Sequence, residues 1–467
     1  MIRIPARSHV SAGLLWAALG CLLPNLVQGQ SAYQGDIDTW VAQDQLDPEP
    51  EGALLFVGSS SIRLWERLAL DFSDWNVIQR GFGGSQFSDL NQFVDQVVTP
   101  YAPAAIFVFE GSNDINAGKT PAQVFADYQS FVTLVRGGQA PGSAAVPIVF
   151  IGVTPTPARQ SQIPEVMQLN DMVQTYAQGD PSLYYADTPT LFLSTGTPPS
   201  SSLFLSDGLH LNQAGYDLWT SVLHPIAKGL MLTPGPAPLP AAHPLRGERV
   251  LFDFGPANPL DGSPTTSPDA NGNTWNNWSA IAGATPILAG EHQGSLLTTA
   301  GVDSGFGIVI SGEFQANGIR NGGLTQPDPL LLGDFAIPSA TQDYFFSDAD
   351  FLPGGFYLRG LDPRRSFDLR LFACRRADDA RSSTYFISGA NRRQADLVTS
   401  GPGSGQMSAG NDDTILELKG LRPDALGRLF VDLEPTVSGL AYLGILELRV
   451  GALRKQAPSA GPPPVQR

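Results

Sequence analysis

Asp207 and His210 stand three residues apart in the loop sequence Asp207-Gly208-Leu209-His210. A histidine that takes a proton from a nucleophile needs a carboxylate to hold its tautomer and stabilise the imidazolium, and this pair can supply both. The nucleophile comes from far upstream, in Gly58-Ser59-Ser60-Ser61, because a serine hydroxyl attacks a carbonyl only when a base removes its proton. The resulting oxyanion needs fixed N–H donors. The Ser60 N–H, the Gly84 N–H in Gly81-Phe82-Gly83-Gly84 and the Asn113 amide in Gly111-Ser112-Asn113-Asp114 would provide three. These residue types suit acyl transfer, a chemistry that calls for no metal and no cofactor. Taken singly, Gly58 and Gly84 read as strand-end turns and Asn113-Asp114 as a helix cap; only the set points to a site. The remaining histidines are placed elsewhere: His224 before Pro225 in a helix, His243 in a Pro-rich stretch and His292 far downstream. Thr154-Pro155-Thr156-Pro157 and Arg159 either line the acyl or leaving-group pocket or form a plain loop.

The elements around these residues alternate. Short apolar runs at 54–57, 76–78, 105–109, 146–153 and 183–185 read as strands, with helices predicted over 61–70, 86–97, 121–136, 164–177 and 212–230. Continuous apolar strands between helices imply a parallel sheet covered on both faces, a doubly wound α/β domain. Ligands of such sheets bind beyond the carboxyl ends of the strands, where the Ser59–Ser61, Gly84, Asn113 and Asp207–His210 loops converge.

In this order and context the four blocks resemble the SGNH (GDSL-like) serine hydrolases. The matching segments are Phe56-Val-Gly-Ser-Ser-Ser61, Gly81-Phe-Gly-Gly84, Gly111-Ser-Asn-Asp114 and Asp207-Gly-Leu-His210, the last followed by Leu211-Asn212-Gln213-Ala214-Gly215-Tyr216. The resemblance covers about residues 52–230. It implies a flavodoxin-like sheet, Ser60 as nucleophile, Gly84 and Asn113 as oxyanion donors, and Asp207 and His210 completing a triad. Ser59 stands where the family usually has Asp, which leaves three consecutive serines; alignment from Gly58 selects Ser60.

Downstream, Thr233-Pro-Gly-Pro-Ala-Pro-Leu-Pro240 reads as a stiff linker. Beyond it, apolar runs near 250–254, 306–310, 356–358, 367–373, 384–387, 415–418, 429–433 and 443–450 are separated by Gly, Asn, Asp and Pro clusters. That pattern predicts an all-β sandwich, a jelly roll. Its opening, Leu251-Phe-Asp-Phe-Gly255, loosely resembles galactose-binding-like sandwiches. Asp269-Ala-Asn271-Gly-Asn273 reads as a turn, since Thr274 and Ala280 stand where a calcium loop needs Gly and Glu. Trp275 and Trp278 read as core in preference to a sugar-stacking platform. The predicted organisation is a signal peptide over 1–29, the hydrolase domain over 30–231, a linker over 232–247, the sandwich over 248–452 and a disordered tail over 453–467.

Arg3 and Arg7 before the apolar run from Val10 to Leu23, then Val27-Gln28-Gly29, mark a secretory leader and predict a secreted or periplasmic protein. Its loss would leave Cys374 as the one cysteine and no intrachain disulfide. With 28 Lys and Arg against 44 Asp and Glu, the net charge of −16 disfavours nucleic acid and anionic membrane surfaces. The expected activity is hydrolysis of carboxylic esters through an acyl-serine, with deacetylation of an O-acetylated polysaccharide the first choice. A lysophospholipase or short-chain lipid esterase is the alternative within hydrolases. A carbohydrate-binding protein with an inactive hydrolase domain is the alternative of another class. The linker suggests that the two domains fold alone and that the sandwich acts as a tether.

Overall fold

Strands β1 (Leu54–Gly58), β2 (Val77–Gly81), β3 (Ala105–Phe109), β4 (Ile148–Ile151) and β5 (Leu183–Ala186) form a parallel sheet in the order β2-β1-β3-β4-β5. This doubly wound order places a switch point between β1 and β3. The strands are apolar throughout because both faces are covered. Leu55, Val57, Ile106, Val108, Ile148 and Phe150 face one layer, packed under α1 (Gln34–Leu46), α4 (Phe87–Val97), α6 (Pro121–Gly137) and α7 (Ile163–Ala177). Leu54, Phe56, Phe107, Val149 and Ile151 face the other, under α9 (Gln213–Gly229). The helix predicted over 61–70 is broken into α2 (Ser60–Arg63) and α3 (Leu68–Asp71), the Trp65 indole N–H donating to Asp71 Oδ2 across the break at 2.8 Å. The short helix α5 (Ser112–Asn116) follows β3, and α8 (Thr188–Leu193) follows β5.

The computed structural model describes residues 32–140, 142–230, 246–258, 260–280, 286–348, 354–401, 410–436 and 439–453. The signal peptide expected over 1–29, His243, and nearly all of the expected linker and tail lie outside the described residues. Among the described residues no helix is long and apolar enough to cross a membrane.

The second unit is a β-sandwich. Its strands begin with β6 (Arg249–Pro256), β7 (Trp275–Ala280), β8 (His292–Leu297), β9 (Asp303–Gly312), β10 (Gln315–Asn317), β11 (Tyr344–Asp348) and β12 (Gly354–Arg359). They continue with β13 (Arg365–Phe372), β14 (Arg381–Ser388), β15 (Arg392–Ser400), β16 (Leu416–Leu421), β17 (Leu429–Pro435), β18 (Leu440–Leu443) and β19 (Ile445–Leu453). A sheet in the order β15-β14-β17-β12-β9-β8 faces one in the order β16-β13-β19-β6-β7 across a shared apolar core. Pairing is antiparallel apart from β6 with β7. Trp275 and Trp278 are buried, Trp275 donating its indole N–H to Asp269 Oδ2 at 2.8 Å. Asp269 Oδ1 accepts from the Asn271 and Asn273 N–H groups, closing the turn.

The two units do not stand apart, which corrects the expectation of independent domains on a stiff linker. Side chains alternate across a strand. Ile308 and Ile310, Phe356 and Leu358, and Leu429 and Val431 point into the sandwich. The residues between them, Val309, Tyr357 and Phe430, point out and join the apolar layer of β1, β3 and α9. Polar groups bind the same junction. Arg80, fully buried, reaches Asp44 at 2.9 Å, Glu49 at 3.2 Å and the Gly290 carbonyl at 3.4 Å. Arg359 pairs with Asp47 and Glu49, His292 Nε2 sits 2.9 Å from the Asp47 carbonyl, and Arg428 donates to the carbonyls of Ser73 and Trp75. Asp44, Glu49 and His292 lie close enough together to resemble a metal cluster, but the Arg80 guanidinium already supplies the positive charge there.

Candidate active site

The elbow after β1 carries the serines. Gly58 has φ +144°, and a Cβ there would collide with the Phe109 carbonyl on β3, so only glycine fits. The Ser59 N–H bonds that same carbonyl at 3.1 Å, and Ser59 is buried as the residue before α2. Ser60 opens α2 with its hydroxyl at the rim of the sheet. Its Oγ lies 3.0 Å from His210 Nε2. Ser61 is anchored differently, its carbonyl accepting from the Tyr216 hydroxyl at 3.0 Å. Of the three serines, Ser60 is the one joined to the histidine.

His210 Nδ1 lies 2.6 Å from Asp207 Oδ2. A carboxylate only accepts, so Nδ1 carries the proton and Nε2 presents its lone pair to Ser60. Asp207 Oδ1 accepts from the Leu209 and His210 N–H groups at 2.8 and 3.0 Å. Partial burial pushes the Asp207 carboxyl up, but these hydrogen bonds and the imidazole outweigh it and hold it below the usual range. The loop is pinned by the Ala158 N–H donating to the Gly208 carbonyl at 3.0 Å.

Of the donors expected for an oxyanion, Asn113 lines the pocket with Ser60 and His210, and Gly84 directly precedes Ser85, whose carbonyl Asn113 bonds. Gly84 has φ +82°, a left-handed turn that favours glycine. Among the described residues the N–H groups of Ser60 and Gly84 make no hydrogen bond. Asn113, in α5, donates from Nδ2 to the Ser85 carbonyl at 3.0 Å, leaving its second amide hydrogen unassigned. Arg159 Nη2 donates to Asn113 Oδ1 at 2.9 Å and Nη1 to Ser112 Oγ at 2.7 Å. Thus Arg159, Thr154 and Thr156 do line the pocket with Ser60 and His210. Burial lowers the Arg159 guanidinium, which makes no ion pair among the described residues. Asp114 accepts from the Phe87 N–H and from Lys119, serving the start of α4 and not the pocket.

Sequence reasoning missed Glu110 and Ser85. Glu110, fully buried at the end of β3, accepts from Ser85 Oγ at 2.5 Å, and burial pushes its carboxyl well up. A glutamate closing the apolar run Ala105–Phe109 was the available signal. His224 is half-buried against Phe72 and Trp75, 3.4 Å from Asp74, remote from the pocket. The space beside Ser60 is a cavity of about 20 Å³, lined by Ser60, Ser112, Asn113, Thr154, Arg159 and His210 among others. That is room for about one water- or methyl-sized group.

Residues 55–218 match the family model described as GDSL-like Lipase/Acylhydrolase. Similar solved structures include a GDSL-like lipase from Bacteroides thetaiotaomicron, 17% identical, covering 42% of this chain and 98% of that one at a TM-score of 0.37. They include a lipase/acylhydrolase from Enterococcus faecalis, 19% identical, covering 39% and 98% at 0.32. The C-terminal catalytic domain of a peptidoglycan O-acetyltransferase from Streptococcus pneumoniae is 12% identical, covering 39% and 95% at 0.31. No curated protein matches the chain.

Proposed function

We propose that the protein, whose residues 55–218 match the GDSL-like Lipase/Acylhydrolase family model, is an exported serine esterase that removes short acyl groups, acetyl above all, from a hydroxyl-rich polymer. The observation that carries this reading is the line from Ser60 Oγ to His210 Nε2, 3.0 Å, and from His210 Nδ1 to Asp207 Oδ2, 2.6 Å.

In this reading Ser60 Oγ attacks the ester carbonyl carbon while His210 Nε2 takes its proton. Asp207 holds the imidazole and stabilises its charged form. The carbonyl oxygen, now an anion, is received by the Ser60 and Gly84 N–H groups and the free hydrogen of Asn113 Nδ2. The intermediate collapses as His210 returns the proton to the leaving alcohol, leaving acyl-Ser60. Water, deprotonated by His210, then releases the acid. The 20 Å³ cavity favours an acetyl-sized group over the long chain of a lysophospholipid. Intact Ser60, His210 and Asp207 argue against an inactive binding protein. Export rests on the leader sequence.

The experiment is hydrolysis of p-nitrophenyl acetate, butyrate and octanoate by the purified protein, with and without a serine-directed phosphonate. Expected is acetate preferred at least tenfold over octanoate, and loss of all activity with the phosphonate on Ser60. Octanoate preference would reinstate the lipid alternative. No hydrolysis of any ester would remove the esterase reading.

A further inference from the structure

Between the hydrolase unit and the sandwich lies a cleft of about 730 Å³, within the range that holds small ligands. We propose that it binds a glycan chain and presents that chain's O-acyl group to Ser60. This deepens the esterase reading and rests on it.

The floor of the cleft is built by the elements that carry the nucleophile and the base. Leu64 lines it, and the Leu64 N–H bonds the Ser60 carbonyl at 2.8 Å, one helical turn away. Asn212 lines it two residues after His210, so their Cα atoms are at most about 7–8 Å apart. Tyr216 lines it too while its hydroxyl bonds Ser61. The opposite wall belongs to the sandwich. The β14–β15 hairpin, with Ser388 paired to Arg392, brings Arg392, Arg393 and Gln394 to the rim of the cleft. Asp432 and Glu434 of β17 complete that wall.

Size divides the substrate between the two cavities. The space beside Ser60 takes one small group, so the alcohol half of an ester must lie outside it; the cleft is the larger space by far, and Leu211 of the small cavity is followed directly by Asn212 of the cleft. Chemistry then selects the alcohol. Carboxyl, guanidinium, amide and hydroxyl groups stand in the walls among apolar surface from Leu64, Leu70 and Phe386. A sugar has hydroxyls for the former and an apolar ring face for the latter. An alkyl chain laid in the cleft would cover Asp432, Glu434 and Arg392 without offering them a hydrogen bond, at a cost in free energy. Arg392 and Arg393 are exposed and make no ion pair among the described residues; Arg393 Nη1 donates to the Arg392 carbonyl at 2.9 Å, and the remaining guanidinium donors are left for a ligand. Burial pushes the Asp432 carboxyl up to about 6, against Arg67 and with Glu434 and Asp71. Near that pH it both donates and accepts, as sugar hydroxyls require.

The test compares turnover of p-nitrophenyl acetate with acetate release from chemically O-acetylated glucan, xylan and galacturonan oligosaccharides. Three full-length proteins are used: wild type, the double variant Arg392→Ala/Arg393→Ala, and Ser388→Trp, which narrows the cleft. Circular dichroism and melting confirm folding. The proposal expects wild type to show a kcat/KM on at least one oligosaccharide at least tenfold above that on p-nitrophenyl acetate. Both variants should lower the ratio of the two activities at least tenfold, through KM on the oligosaccharide. An unchanged ratio in both variants, or no oligosaccharide preferred by wild type, overturns the proposal while hydrolysis of p-nitrophenyl acetate leaves the esterase reading standing. Wild type inert on every ester would instead remove that reading.

Discussion

Arg159 holds Asn113 by its carbonyl oxygen: Nη2–H donates to Oδ1 at 2.9 Å. The opposite flip of the amide would set its NH₂ against a guanidinium that can only donate. Arg159 therefore fixes Nδ2 on the side of the Ser85 carbonyl, with one hydrogen left to meet an oxyanion. Nη1 on Ser112 Oγ keeps the guanidinium in place.

Arg159→Met should accordingly act through Asn113. We expect kcat on p-nitrophenyl acetate to fall by about 10- to 100-fold with little change in KM, less than the roughly 10²–10³ for losing an oxyanion donor outright in Asn113→Ala. In the Asn113→Ala background, Arg159→Met should cost less than about threefold, because the two residues act as a unit. Full additivity in that double-mutant cycle would show that Arg159 contacts substrate independently.

The three serines separate by position. Ser60→Ala should remove activity by up to about 10⁶, since the hydroxyl joined to His210 is lost. Ser59 is buried behind the elbow and Ser61 contributes a backbone carbonyl to Tyr216. Ser59→Ala and Ser61→Ala should keep at least a tenth of wild-type kcat. Activity retained in Ser60→Ala and lost in Ser59→Ala would move the nucleophile.

The strands of the first unit were legible because burial on both faces leaves an unbroken apolar run, as in Ala105–Phe109. The meeting of Ser60, His210 and Asp207 was legible because they fall in loops at the ends of those strands. The break between α2 and α3 was not, since Leu64–Arg67 contains neither Gly nor Pro. Edge strand β8, His292–Leu297, carries too few apolar residues to register. The junction was hidden for another reason. Tyr357 and Phe430 extend apolar runs in β12 and β17, and a run cannot say whether the second face meets its own sheet partner or another unit. Arg80 inside the second strand was unexpected, because its partners Asp44 and Glu49 lie in a stretch with no site motif.

Asp253 and Asp343 make the sandwich sensitive to pH. Both are buried, Oδ1 of each lacks a hydrogen-bond partner among the described residues, and burial with mutual repulsion raises their carboxyls. The folded state therefore holds protons that the unfolded chain releases above about pH 4, and stability falls as pH rises beyond that point. Asp343→Asn removes one charge at constant shape. It should raise Tm at pH 8 by several degrees and by much less at pH 4.5. Equal shifts at both pH values, measured by thermal melts, would dissociate the pair from the pH dependence.

Phe430 couples the melting of the two units. It is 3% exposed and packs on Tyr357 at 5.1 Å, while the Arg428 guanidinium lies over its ring at 5.3 Å and donates to Ser73 and Trp75. The layer it joins also contains Phe56 and Trp219, so melting either unit alone would expose apolar surface on both. Wild type should then unfold in one calorimetric transition. Phe430→Ala leaves a cavity at the junction, with a cost of about 3–5 kcal/mol for such truncations. Because Phe430 points away from the sandwich core, that loss weakens the contact between units more than either interior. The variant should melt in two resolved steps, the first below the wild-type midpoint. Two steps already present in wild type, unmoved by Phe430→Ala, would mean that the junction carries little of the stability and that the sandwich folds on its own account.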